Sequence, residues 1–169
     1  MWKKIVATFA VLGLLITLAA CGQKSYAGVQ VSEKKYERVQ SENDDIKTLV
    51  TALQKFRYDD DKSANTVYKA ADKLNQELRP GLSEAQKNQL GVALGDGATG
   101  VKGIVKAAVS KQYNFDDEVA SQFHANFRIV FDLASFSIGN SVQQRSKIET
   151  QMRKDTNADT ELYKIGTQE

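Results

Sequence analysis

The amino-acid sequence predicts an all-α protein, a four-helix bundle-like domain that follows a cleaved export signal and a short tether. Three observations carry this prediction. Residues 5–20 hold no charge and follow Lys3 and Lys4. From residue 32 onward, apolar residues recur three and four positions apart, the period of a helix with one buried face. The only proline, Pro80, and the pattern Ser83-Glu84-Ala85-Gln86 mark a helix end and a helix start in mid-chain. A chain of 169 residues, 41% hydrophobic and 26% charged, suits one compact domain and excludes wholesale disorder.

Residues 1–20 read as a signal peptide. At about 1.5 Å per residue their apolar run reaches roughly 24 Å, short of the ~30 Å hydrocarbon core of a bilayer. A basic start, a short apolar run and small residues at its end describe a secretory signal rather than a membrane span. The run closes on Leu18-Ala19-Ala20-Cys21, which resembles the lipobox of bacterial lipoproteins. In that family the Cys thiol is alkylated with diacylglycerol, the chain is cut before it, and the new amino group is usually acylated. The resemblance covers residues 1–21 alone. It implies lipid attachment at Cys21 and a membrane anchor of two or three acyl chains, each buried CH₂ contributing about 0.8 kcal/mol. Gram-negative lipoproteins with Asp after the Cys tend to stay at the inner membrane. Gly22 stands there instead, which implies the outer membrane, facing the periplasm.

Removing Lys3 and Lys4 from the 23 basic residues leaves 21, matching the 21 acidic ones. A neutral, exported chain argues against a nucleic-acid partner. Cys21 is the only Cys, so no disulfide framework and no Cys-based metal site are expected.

Residues 21–31 are expected to form the lipidated Cys and a polar, Gly-containing tether, in which Val29-Gln30-Val31 has the alternation of a short strand without an evident partner. The bundle is expected over residues 32–155. Tyr36, Val39, Ile46, Val50 and Leu53 form the stripe of a first helix, with Asn43 as a buried polar position that sets register. Val67, Ala71, Leu74 and Leu78 share one face of a second helix, which Pro80-Gly81 ends. The third helix begins at Ser83. Its face of Leu90, Leu94, Ala98, Val101, Ile104, Val105 and Ala108 runs through Gly91, Gly95, Gly97, Gly100 and Gly103. Five helical glycines cost roughly 4–5 kcal/mol relative to Ala, so fraying or a kink is expected near Gly95-Asp96-Gly97. The fourth and longest helix is expected from about residue 114, behind Asp116, Asp117 and Glu118, to about 154. Residues 156–169 follow as a short helix or frayed tail.

The candidate chemistry is sparse. Gly95-Asp96-Gly97-Ala98-Thr99-Gly100 matches the dinucleotide fingerprint in letters, but that motif works only between a strand and a helix. Asp59, Asp60 and Asp61 lack the Gly and Glu of a calcium loop at the sixth and twelfth positions, where Ala64 and Ala70 stand, and are expected to cap the second helix. His124 is the only His and makes neither a triad nor a zinc site by itself. No catalytic residue, metal or cofactor is therefore assigned. The fourth helix carries a core stripe of Val119, Phe123, Phe127, Val130, Ala134 and Ile138. A second stripe, Ile129, Leu133 and Phe136, is the candidate partner face. The expected function is a non-enzymatic envelope lipoprotein that binds another envelope protein or a second copy of itself. Alternatives are a phage- or plasmid-encoded exclusion lipoprotein, a pilotin-like escort of an outer-membrane protein and, further off, a carboxylate-based enzyme.

Overall fold

The computed structural model describes residues 22–165. The expected signal segment, residues 1–20, and Cys21 lie outside the described residues, as do positions 166–169. The described chain is an all-α bundle with one small hairpin. The strands are β1 (Gln23–Tyr26) and β2 (Val29–Ser32). The helices are α1 (Glu33–Gln54), α2 (Asp61–Leu78), α3 (Glu84–Leu94), α4 (Val101–Lys111), α5 (Asp117–Ile138), α6 (Val142–Thr156) and α7 (Ala158–Tyr163). Among the described residues no helix is long and apolar enough to cross a membrane.

Side-chain contacts give the direction of each arm. Arg38, near the start of α1, donates to the carbonyls of Leu78 and Pro80 at the end of α2. Those two helices are therefore antiparallel. α3 and α4 carry the chain from Pro80 to Phe115, which stacks on Phe56 beyond the end of α1 with ring centroids 4.4 Å apart. α5 returns, bringing Ile138 back to Lys35, whose ammonium donates to its carbonyl at 2.8 Å. α6 then runs alongside α1, from Asn140 near Lys35 to Asp155 near Asn43. The bundle thus has two ends, one with Gly22, Pro80 and Gly139, the other with Phe56 and Phe115.

The expected apolar stripes line the core. Val39, Ile46, Val67, Leu74, Phe123, Phe127 and Val130 are wholly buried. Asn43 is buried too, and its amide donates to the Tyr26 hydroxyl at 3.2 Å. The expected helix starts also hold. Asp60 accepts from the Lys62 N–H, Asp116 from the Val119 N–H, and Ser83 with Gln86 closes a reciprocal capping box.

Three boundaries differ from the sequence reading. Residues 23–32 are an antiparallel hairpin, with Gln23 opposite Ser32 and Tyr26 opposite Val29, and not a tether. Tyr26, Val29 and Val31 are buried against the helices, which fixes the pair. The third helix is two, α3 and α4, because the carbonyls of Gly95 and Gly97 face Gly103 instead of continuing the ladder. The Gly103 N–H donates to Gly95 at 3.1 Å, and a Cβ on Gly103 would lie 1.9 Å from the Gly97 oxygen. Glycine here permits close backbone approach rather than flexibility. The fourth helix is also two, because Gly139-Asn140-Ser141 turns the chain back. The Ser141 hydroxyl accepts from the Gln144 N–H, starting α6, while the Gln144 side chain accepts from the Asn140 N–H.

Candidate functional site

The most informative feature is how the first described residues are held. The Gly22 carbonyl accepts from the Glu33 N–H at 3.0 Å, and the next residue, Gln23, is already paired with Ser32. The first described residue is therefore held at the start of α1. Cys21 itself lies outside the described residues. Ser32 caps α1 and Gly22 satisfies a further amino-terminal N–H, so the hairpin also completes the helix start.

A polar seam runs up α1 from this end. Glu42 is fully buried and its Oε1 accepts from the Arg38 Nε at 2.7 Å and from the Ser137 hydroxyl at 3.3 Å. Its Oε2 is buried without a hydrogen-bond partner among the described residues. Burial outweighs the attraction of Arg38 and lifts the carboxyl from 4.5 to about 7. At the next residue, Asn43, the side-chain amide donates to the Tyr26 hydroxyl, which in turn donates to Asp155 at 2.7 Å. Burial, opposed by the bond from Asn43, holds the phenol above its ordinary range. Farther along, the buried Asp45 accepts from Lys73 at 2.5 Å. Each buried polar group ties α1 to a different element, which fixes the helices in one register.

The sequence-derived partner face does not form one surface. Leu133 is 1% exposed and belongs to the core, because α6 packs across that side of α5. Ile129 is half-buried and lines an open groove with Ala125, Arg128, Asp132 and Glu149. Asp132 is held above the ordinary carboxylate range by burial and by Glu149. Phe136 is 39% exposed, with the Arg145 guanidinium 4.2 Å above its ring. The three residues thus fall to core, groove and bundle end.

His124 is half-buried on α5. Its ring lies 4.1 Å from that of Tyr163 and its Nδ1 is 3.9 Å from Asp159. Burial lowers its pKa, with Asp159 opposing. Asp159 is also bound by Arg153 at 3.0 Å, so this cluster ties α7 to the bundle. A second open groove, about 570 Å³, lies between α1 and α2 toward the Phe56 end, with Lys47, Lys55 and Lys62 on its rim. Among the described residues no three His, Cys, Asp or Glu side chains gather in a metal-holding group.

No protein-family model, curated protein or solved structure significantly matches the chain.

Proposed function

We propose that this chain is a bacterial envelope lipoprotein, acylated on Cys21, whose helical domain acts by binding rather than catalysis at the periplasmic face of the outer membrane. The observation that carries the reading is the join between two features. The lipobox-like Leu18-Ala19-Ala20-Cys21 ends one residue before Gly22, the first described residue, whose carbonyl is hydrogen-bonded to the start of α1. A processing site needs an extended, accessible chain on its amino-terminal side, and the domain begins just past the point where the chain would be cut. Open grooves on the surface support a binding role. The partner is an envelope protein or a second copy of the chain.

The test is intact-mass spectrometry of protein purified from membranes of expressing bacteria. A chain beginning at Cys21 and heavier by diacylglyceryl and acyl groups is expected. Cys21→Ser is expected to abolish the added mass and to release the protein from the membrane fraction. A chain with an unmodified Cys21, or one cut elsewhere, would overturn the reading.

A further inference from the structure

We infer that the end of the bundle carrying Gly22 is a seating face for an anionic phospholipid surface, built from two exposed apolar side chains within a basic rim. The inference rests on acylation of Cys21, and four observations specify the face. The described chain starts at this end, hydrogen-bonded to Glu33, so acyl chains on the preceding residue draw this end against the bilayer. Of the four large hydrophobic side chains exposed among the described residues, Phe136 and Val142 flank the Gly139 turn at this same end, with Val142 71% exposed. Lys35 links the two sites: it lies two residues from Glu33, and its ammonium rests on the Ile138 carbonyl and the Asn140 side chain.

Charge is the third observation. Lys24, Lys34, Lys35, Arg79 and Arg145 belong to this end, which also carries Glu33, Glu37 and Glu84. Two of those carboxylates are drawn to lysines, Glu33 to Lys24 at 3.9 Å and Glu84 to Lys87 at 2.7 Å. The fourth observation is the contrast with the opposite end. There, two exposed acidic triplets, at positions 59–61 and 116–118, stand on either side of the Phe56–Phe115 stack and outnumber the neighbouring Lys55, Arg57, Lys62 and Lys111. A mature chain with no net charge thus has a modest excess of cations at one end and of carboxylates at the other. An anionic surface attracts the basic end and repels the acidic one, and lysines close to such a surface engage its phosphates. Phe136 beneath Arg145 has the apolar body and cationic tip of a side-chain pair that sits at the boundary of headgroups and acyl chains. A lipid anchor alone would let the domain tumble. These contacts hold it upright, with the acidic end and the lysine-rimmed groove turned toward the aqueous side.

The test uses the full lipidated protein in vesicles of phosphatidylcholine with about a third phosphatidylglycerol, some prepared with bromine-labelled acyl chains. Because Cys21 is the only Cys, acylation leaves Val142→Cys, Phe136→Cys or Lys62→Cys as the single labelling site for an environment-sensitive fluorophore. Expected are quenching by brominated lipid at positions 142 and 136, at least about twofold above that at position 62, and a fall toward the value at 62 in pure phosphatidylcholine. The combined change Lys24→Glu, Lys34→Glu and Arg79→Glu is expected to remove the dependence on phosphatidylglycerol. Intact mass is read on the same samples. Acylated protein with equal quenching at all three positions, or none at 142 and 136, overturns the seating face and leaves the lipoprotein reading standing. Absence of acyl mass on Cys21 overturns both.

Discussion

The two breaks in the helical arms are held by different forces. Between α3 and α4 backbone meets backbone. Gly100 and Gly103 lie so close to the carbonyls of Gly95 and Gly97 that an added Cβ would stand 2.5 Å and 1.9 Å from them. Between α5 and α6 the turn is short and its surroundings are charged. Lys35 sits on the Ile138 carbonyl, Glu42 on Ser137, and Arg145 over Phe136. The first break is closed by backbone contact, with one ion pair, Lys102 to Asp96 at 3.4 Å, beside it, and answers mainly to shape. The second answers to shape, pH and salt. Glycine number therefore says little about how firmly a break is held.

The largest effect is expected at the first break. Gly103→Ala forces a methyl into the Gly97 carbonyl, and a loss of roughly 3 kcal/mol is expected in chemical denaturation, equal at pH 5 and pH 8. An unchanged midpoint would mean that the corner is not closed by backbone contact.

The second break supplies a pH dependence of comparable size. Glu42 titrates near 7 when folded against an ordinary value of 4.5, so the folded chain keeps a proton that the unfolded chain has lost. Its contribution is full below about 4.5 and is lost as pH rises through about 7, a change on the order of 3 kcal/mol. Glu42→Gln should flatten the denaturation midpoint across that window. If the wild-type midpoint is already flat, the carboxyl does not carry its proton into the neutral range.

Smaller effects separate caps from spacers. Ser141→Ala removes the hydroxyl that starts α6 and should cost about 1 kcal/mol, with faster amide exchange in the first turn of α6. Gly91→Ala goes the other way. A Cβ there meets nothing within 4 Å, so the change should stabilise α3 by about 1 kcal/mol, read as a raised melting temperature. Opposite signs for Gly91→Ala and Gly103→Ala would show that the glycines divide into spacers and contacts.

The sequence announces the helices because their apolar spacing is strong and their caps are local. Leu74 and Leu78, Phe123 and Phe127, and the box at Ser83 can each be read without knowing what they pack against. The breaks are less legible, because a helical period continues through them: Val101, Ile104 and Val105 stay in phase with Leu90 and Leu94 although the chain has stepped sideways at Gly95. The turn at Gly139 did have a local mark, Ser141 followed three residues later by Gln144, the same signature that placed α3. It was masked by Ile138 and Ile148, both of which are buried. The hairpin was hidden for a different reason. β2 alternates, but its partner Gln23-Lys24-Ser25-Tyr26 is polar except at its end, and the turn between them puts Ala27 at φ 54° and Gly28 at φ 71°. Leu133 is core because α6 covers one face of α5, and the apolar period that runs on through Gly139 hides the boundary between these two helices.

The hairpin has a mechanical consequence. β1 runs from Gly22 toward the Tyr26 hydroxyl, which grips Asn43 ten residues into α1 and Asp155 at the end of α6. If Cys21 is acylated as proposed, tension between the lipid and the far end of the bundle would pull β1 along its own length. Its bonds to β2 and the Tyr26 grip would then share the load in shear rather than open one after another, so a pull on the lipid would be passed to the whole bundle.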